Sequence, residues 1–460
     1  MQVVIFGLGV YYNLRKNNIN QNTKIVAFID NNSDLWGKTN EGISIFSPSS
    51  IIQIQYDKIL LMSRKSNEMK KQLLEMGISR KKIMYYEEFL AEVKRGKLEI
   101  FYGKRSCSSN KKRILIIFPI LGFHGVSMIS LYTAKALQKK GYQVSFAVSD
   151  KDKKALSESI NNDISVIVHG GLYYIKSYEM FWIREFDFVI INSYELINVA
   201  IEVNKIKPCI WWLHDPLFAY KGMFERYDYI ENDDLKKINI FAVSDVAQKC
   251  FKKYYPDTKI NLLKYGIEDK RITVEKNNRK LIFAIIGYVC EIKAQDVFMS
   301  AINKISKKKK KDIEFWIIGN IGNNAFQQEI KIAAESDSSI KILGELDRNE
   351  MNKVYSKIDV IVNPSREDAC PTVVVEGMMY GRVCITSDET GIAPFIKNGN
   401  NGFVCKAGDD EDLYEKINWI LLHKNRLKDI GKMARITYET NFTLEKLRKS
   451  LEKIMENCTD

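Results

Sequence analysis

Asn363-Pro364-Ser365-Arg366-Glu367-Asp368-Ala369-Cys370-Pro371-Thr372-Val373-Val374-Val375-Glu376-Gly377-Met378-Met379-Tyr380-Gly381 follows directly on an apolar strand pattern, Val360-Ile361-Val362. A short polar loop carries two adjacent carboxylates and a proline, and a helix pattern follows with a carboxylate one turn in. Pro371 has its φ pre-set and lacks an N–H, which suits a helix start. The free N–H groups of that first turn, at Thr372 and Val373, form a ready anion site. Acids flanking such a site read as acceptors for sugar and ribose hydroxyls around a diphosphate.

Outward from this stretch, the chain repeats a strand–helix rhythm in three segments. The third segment opens with Leu281-Ile282-Phe283-Ala284-Ile285-Ile286-Gly287 and continues through Phe315-Trp316-Ile317-Ile318-Gly319 and Val383-Cys384-Ile385-Thr386. The second runs from Arg113-Ile114-Leu115-Ile116-Ile117 to about residue 280. The first fills residues 1 to about 105 and meets the second through a small polar linker over 103–112. Strands alternating with helices predict parallel sheets. Leu444, Leu447, Leu451 and Ile454 give the closing stretch, 441–460, one apolar helix face. The predicted architecture is α/β: two facing Rossmann-like domains, 112–280 and 281–440, preceded by a small Rossmann-like module, 1–105. Such domains bind ligands at the carboxyl ends of their strands.

Gly287-Tyr288-Val289-Cys290-Glu291-Ile292-Lys293 lies at one such end, and Lys293 is a compact cation suited to a diphosphate. On its own it also reads as an exposed lysine at a helix start. Gly122 and Gly125 flank a strand-to-helix turn in the second segment. His214-Asp215 ends the apolar strand Ile210-Trp211-Trp212-Leu213, where a histidine either touches a sugar or is a satisfied structural side chain. His124 is a weaker candidate, and His169 and His423 read as structural. In the first segment Gly7-Leu8-Gly9-Val10-Tyr11-Tyr12 has the start of a dinucleotide fingerprint, with Asp30 ending the second strand. Tyr12 stands where a third glycine belongs, so a nucleotide site and a structural or interaction role both stay open.

Taken together, the 363–381 stretch, Lys293, Ser387-Asp388-Glu389-Thr390-Gly391 and Asn398-Gly399-Asn400-Asn401-Gly402-Phe403 resemble the donor site of retaining GT-B glycosyltransferases, the group 1 or family 4-like enzymes that use sugar nucleotides. The resemblance covers about residues 112 to 458. Family members carry an acid, seven intervening residues and a Glu, which Asp368 and Glu376 match and Glu367 misses by one. The resemblance implies donor binding by Gly287, Lys293, Asp368, Thr372, Val373 and Glu376, with Glu376 on the ribose. It implies His214, Asp368 and Lys293 at the reaction centre, and Gly122 and Gly125 near phosphate and acceptor. It further implies a UDP- or GDP-sugar donor, a glycan or polyprenyl-phosphate-linked acceptor and no required metal or cofactor. The sequence departs from the family twice: Tyr288 stands for an Arg and Ala294 for a Gly. The first segment resembles Rossmann-like modules of bacterial polysaccharide-biosynthesis proteins.

The bulk numbers agree with an enzyme of this kind. The chain has 460 residues, 45% of them hydrophobic, and no apolar run of membrane-spanning length. Its start has neither a basic leader nor a cleavage pattern, so a cytoplasmic protein is expected, peripheral at most on the inner membrane face. Eight scattered cysteines without a Cys-x-x-Cys pair predict free thiols, and the four histidines lack zinc spacing. The net charge of +13 suits anionic substrates or an anionic membrane surface. The densest basic run, Lys307 to Lys311, reads as a solvated helix end, and no aromatic-interleaved basic stripe points to nucleic acid. Asp150-Lys151-Asp152 spells a metal-type Asp-x-Asp in a surface loop, a pattern expected by chance. Two rival functions remain: a non-catalytic GT-B scaffold binding a partner glycosyltransferase, and a nucleotide-sugar epimerase or oxidoreductase served by the first segment.

Overall fold

The computed structural model describes residues 1–19, 22–93, 97–104, 111–270 and 280–459. Most of the predicted linker and the approach to residue 280 lie outside these residues, as does Cys107. Three large sheets organise the described residues, beside a two-stranded pair of Ile120–Leu121 with Asp150–Lys151. In the first, Gln2–Phe6 is central, flanked by Lys24–Ile29 and Ile43–Phe46 on one side and by Lys58–Leu61 and Ile83–Tyr85 on the other. Counted along the chain these strands lie in the order 3-2-1-4-5, all parallel.

The second sheet is built around Arg113–Ile117, with Gln143–Val148 and Ser165–Val168 on one side and Phe188–Asn192, Cys209–Leu213, Asn239–Ala242 and Ile260–Leu262 on the other. The third repeats the plan around Leu281–Ile286, with Ile313–Ile318 and Ile340–Gly344 on one side and Val360–Asn363, Val383–Ser387 and Phe403–Cys405 on the other. The order 3-2-1-4-5-6 is the doubly wound Rossmann order. These central strands are near-continuous runs of Val, Ile, Phe and Trp because helices cover both faces of each sheet. In such sheets the strand order reverses between the first and fourth strands, and the crevice beyond their carboxyl ends is where ligands bind. Here that marks the turns after Ile117 and Asn192 in one unit and the turns after Ile286 and Asn363 in the other.

Two details differ from the sequence boundaries. Glu99–Phe101 pairs antiparallel with Ser165–Val168, so the chain joins the second sheet before residue 105. A three-residue strand carries too little periodicity to be read beforehand. The last helix, Leu444–Thr459, begins after a break at Phe442 and packs along helix Gly125–Gln138 of the second unit rather than on the third. Leu444, Leu447 and Leu451 are buried there, as its apolar face predicts, and Ile267 bridges Thr443 where the chain crosses back. Among the described residues no helix is long and apolar enough to cross a membrane.

Candidate active site

On the third unit, strand Leu281–Ile286 ends at Gly287, whose φ of +144° is open to glycine. The turn that follows brings Lys293 beneath the 363–381 loop, where its Nζ donates to Asp368 Oδ2 at 2.5 Å. Burial opposes the charge on Lys293, but the Asp368 carboxylate overrides it and holds the ammonium above its ordinary pKa. Asp368 Oδ1 accepts from the Cys370 amide at 3.2 Å, and the Asp368 backbone is stitched to Glu389 and Gly391. The loop is therefore fixed on both sides of its acid.

Helix Thr372–Met379 starts at Pro371, which offers no side-chain cap. Its first helical bonds are made by the Val374 and Val375 amides to the Pro371 carbonyl, at 3.2 and 3.5 Å. The amides of Thr372 and Val373 thus lie ahead of the ladder, free to meet an anion. One turn in, half-buried Glu376 accepts from the Tyr355 hydroxyl at 2.5 Å. Burial raises its pKa, while the Tyr355 hydrogen bond and the nearby Lys270 and Arg348 pull it back. Tyr288 reaches sideways, its hydroxyl accepting from Gln327 at 3.0 Å, so it adds no cation to the site. Ala294, the second departure from the family, sits in the left-handed region at φ +57°.

The second unit presents its own turns. Gly122 donates to Ser127 Oγ at 3.0 Å, and a Cβ there would fall 3.2 Å from the His124 ring. Gly125 begins helix Gly125–Gln138, so the two glycines flank a strand-to-helix turn. The His124 ring bonds the Ile120 carbonyl through Nε2 at 3.0 Å, which leaves it a loop-bracing role. His214 is buried at the end of its strand against Trp212, with ring centroids 4.4 Å apart, and neither ring nitrogen has a hydrogen-bond partner among the described residues. Burial pushes its pKa down to about 3, so it is neutral. Asp215 turns away to cap the Tyr194 amide at 2.7 Å and the Ser193 hydroxyl at 3.0 Å. Of the pair, only the histidine has side-chain polar atoms without a partner among the described residues.

The two units touch through residues the sequence reading passed over. Glu367, the acid set one position too early, accepts from the Leu217 amide at the start of helix Leu217–Arg226. Ser244 donates to the Ala369 carbonyl, and the Tyr265 hydroxyl to the Cys370 carbonyl at 3.4 Å. Arg348 spans the cleft elsewhere, bonding Glu158 at 2.7 Å and the Tyr132 hydroxyl at 3.3 Å. A carboxylate at Glu367 was visible beside the motif; its partner lies too far along the chain for any local pattern to find. Asp152 is explained as well, since it caps the amides of Lys154 and Ala155, both at 2.9 Å. In the basic run, Lys310 pairs with Asp337 at 2.5 Å, so part of it is bound into the fold. His169 accepts from Gly171, and His423 stacks on Trp419, as structural histidines do.

In the first module Gly7 has φ +101°, and a Cβ there would press on the Met62 carbonyl at 3.1 Å. Gly9 precedes a helix of only six residues, Val10–Arg15. Asp30 is occupied by backbone: Oδ2 accepts from Leu8 at 2.8 Å and Oδ1 from Asn32 at 2.9 Å. Tyr12 is buried edge-on against Phe28, in the space a third glycine would leave open. The three candidate residues are brought to one turn, but the acid closes that turn instead of facing outward.

Comparison with known proteins agrees with this layout. Residues 266–437 match the model of the glycosyl transferases group 1, and residues 1–84 match that of the C2185-like N-terminal domain. The chain is 24% identical over 220 residues to an uncharacterized glycosyltransferase of Methanocaldococcus jannaschii, covering 46% of this chain and 59% of that protein. It is 22% identical over 250 residues to the N,N'-diacetylbacillosaminyl-diphospho-undecaprenol alpha-1,3-N-acetylgalactosaminyltransferase of Campylobacter jejuni, covering 52% of this chain and 62% of that one. The matches thus span about three-fifths of each relative. Among solved structures, Anabaena HepE in complex with UDP and glucose superposes with a TM-score of 0.64 at 14% identity, over 75% of this chain and all of that one. Residues 266–437 thus match the glycosyl transferases group 1 within a GT-B fold, and residues 1–84 ahead of it match the C2185-like N-terminal domain.

Proposed function

We propose that this protein is a retaining, metal-independent glycosyltransferase of bacterial surface-polysaccharide biosynthesis. It moves a sugar from a UDP- or GDP-linked donor to a glycan or lipid-linked acceptor, working at the cytoplasmic face of the membrane. The observation that carries this reading is the convergence of Lys293, Asp368 and the open start of helix Thr372–Met379, with Glu376 one turn behind. The printed ligands of HepE, UDP and glucose, and the undecaprenol-linked substrate in the Campylobacter name support the donor and acceptor classes.

In the reaction, the bond from the anomeric carbon to the diphosphate oxygen breaks with its electron pair left on the diphosphate. The acceptor oxygen bonds the same carbon, and its proton passes to the departing diphosphate oxygen. Lys293 and the amides of Thr372 and Val373 neutralise the charge that builds on the diphosphate, which is where fixed dipoles act most strongly. Glu376 accepts from the ribose hydroxyls. Asp368 holds Lys293 in place and accepts from the donor sugar. Neutral His214 hydrogen-bonds a sugar hydroxyl and orients it toward the acceptor. A thermal-shift panel of UDP- and GDP-sugars tests the reading, because a bound donor raises the melting temperature by mass action. A rise with one donor that vanishes in Lys293→Ala supports it; no rise with any member sinks it.

A further inference from the structure

A crevice of about 550 Å³ lies where the first module rests on the second unit. The first module contributes Arg80 and Glu92, and the second contributes Tyr174, Lys176, Tyr178 and Tyr229. Its walls are fixed to each other. Lys70, only 5% exposed, donates to Asp228 at 2.6 Å and to the Glu225 carbonyl at 3.0 Å, and Asn67 donates to the Gly222 carbonyl at 2.8 Å. Glu87 pairs with Arg226 at 3.2 Å. Yet within these rigid walls Tyr178 and Tyr229 are 71% and 50% exposed. Bare aromatic faces in a concave, preformed surface mark a place for a ligand with an apolar face and a polar rim.

We propose that this crevice binds the oligosaccharide part of the acceptor, away from the reacting hydroxyl. A sugar ring offers C–H faces to lie on tyrosine rings and a rim of hydroxyls for the charged side chains around them. The lining holds four basic and three acidic side chains, so it is close to neutral and suits an uncharged glycan rather than a phosphate. One helix links the crevice to the reaction cleft along the chain. Helix Leu217–Arg226 begins at the amide held by Glu367 and ends three residues before Tyr229. Ten helical residues span about 15 Å, which sets the separation that a glycan held at both places would bridge. The proposal rests on the glycosyltransferase reading for the identity of its ligand.

The test uses the full chain, labelled and applied to an array of printed bacterial oligosaccharides and polysaccharides. The wild type is expected to be retained on at least one glycan, and Tyr178→Ala/Tyr229→Ala to lose that retention at least tenfold with an unchanged melting temperature. Tyr178→Phe keeps the ring face and is expected to keep binding. Failure of the wild type to bind any glycan, equal retention by the double variant, or loss in Tyr178→Phe as large as in the alanine variant overturns the proposal. The nucleotide-sugar melting panel is read on the same samples. Tyrosine-dependent glycan retention without any donor response leaves the crevice standing and sinks the transferase reading; a donor response without glycan retention does the reverse.

Discussion

Two strand–glycine–helix turns in this molecule start from the same plan and end as different things. Gly7 and Gly287 both follow the central strand of a doubly wound sheet, both have positive φ, and both are followed by an acid brought in from another strand. In the third unit the acid, Asp368, meets a lysine beside an uncapped eight-residue helix. In the first module the acid, Asp30, is bonded by two amides of neighbouring loops, and the helix is short. The difference teaches that a glycine turn makes room but does not make a site. What matters is whether the acid at its mouth is held by backbone amides alone, as Asp30 is, or also pairs with a cation at an open helix start, as Asp368 does.

The sharpest way to break this comparison is to remove the charges of the third unit. Lys293→Ala and Glu376→Ala are each expected to lower transfer, measured as sugar released from the donor identified by melting, by about a hundredfold or more. Asp30→Ala is the counterpart in the first module. It strips the acceptor from the Leu8 and Asn32 amides and is expected to cost about 2 kcal/mol in a urea melt, with transfer within twofold of wild type. Loss of transfer on the scale of Lys293→Ala would put the first module in the chemistry and erase the contrast.

A third turn, at His214, sharpens the comparison through pH. Its folded pKa lies near 3 against an ordinary 6.5, so the unfolded chain takes up a proton there before the native protein does. The stability contributed by this residue is whole above pH 6.5 and is lost as pH falls toward 3. The wild type is expected to lose about 1.4 kcal/mol per pH unit more than His214→Asn within that window. Parallel pH curves for the two proteins would show that the imidazole is hydrated and open rather than buried without a partner.

The same contrast explains what could be read in advance. Asp368, Pro371 and Glu376 are close in sequence, and their roles follow from a strand, a loop and a helix start that any local pattern reveals. Lys293 was legible because its turn has the same grammar, though its contact with Asp368 needed the 3-2-1-4-5-6 strand order to bring the two turns together. Glu367 on Leu217, Tyr355 on Glu376 and Arg348 on Glu158 were not legible. Each joins residues on separate elements through a side-chain direction that no periodicity encodes. At Asp30 the sequence left a ribose-binding and a structural role both open, and only the structure reveals that two amides hold it.

The smallest expected effect concerns backbone strain at the two turns. Ala294 holds a left-handed conformation, φ +57° and ψ +42°, at the position where Gly is the family's habit. An L-residue there costs about 1–2 kcal/mol, and Ala294→Gly relieves it. The substitution also removes a fully buried methyl group, worth about 0.8 kcal/mol. The net gain is expected to be about 0.5 kcal/mol, read as a higher urea midpoint. Gly7→Ala runs the other way, because φ +101° and the Met62 carbonyl at 3.1 Å both resist a Cβ. A lower midpoint for Ala294→Gly would mean that the methyl contributes more to packing beneath Lys293 than the strain costs. The turn would then be held by its core contacts, and the glycine habit of the family at this position would answer to something other than backbone conformation.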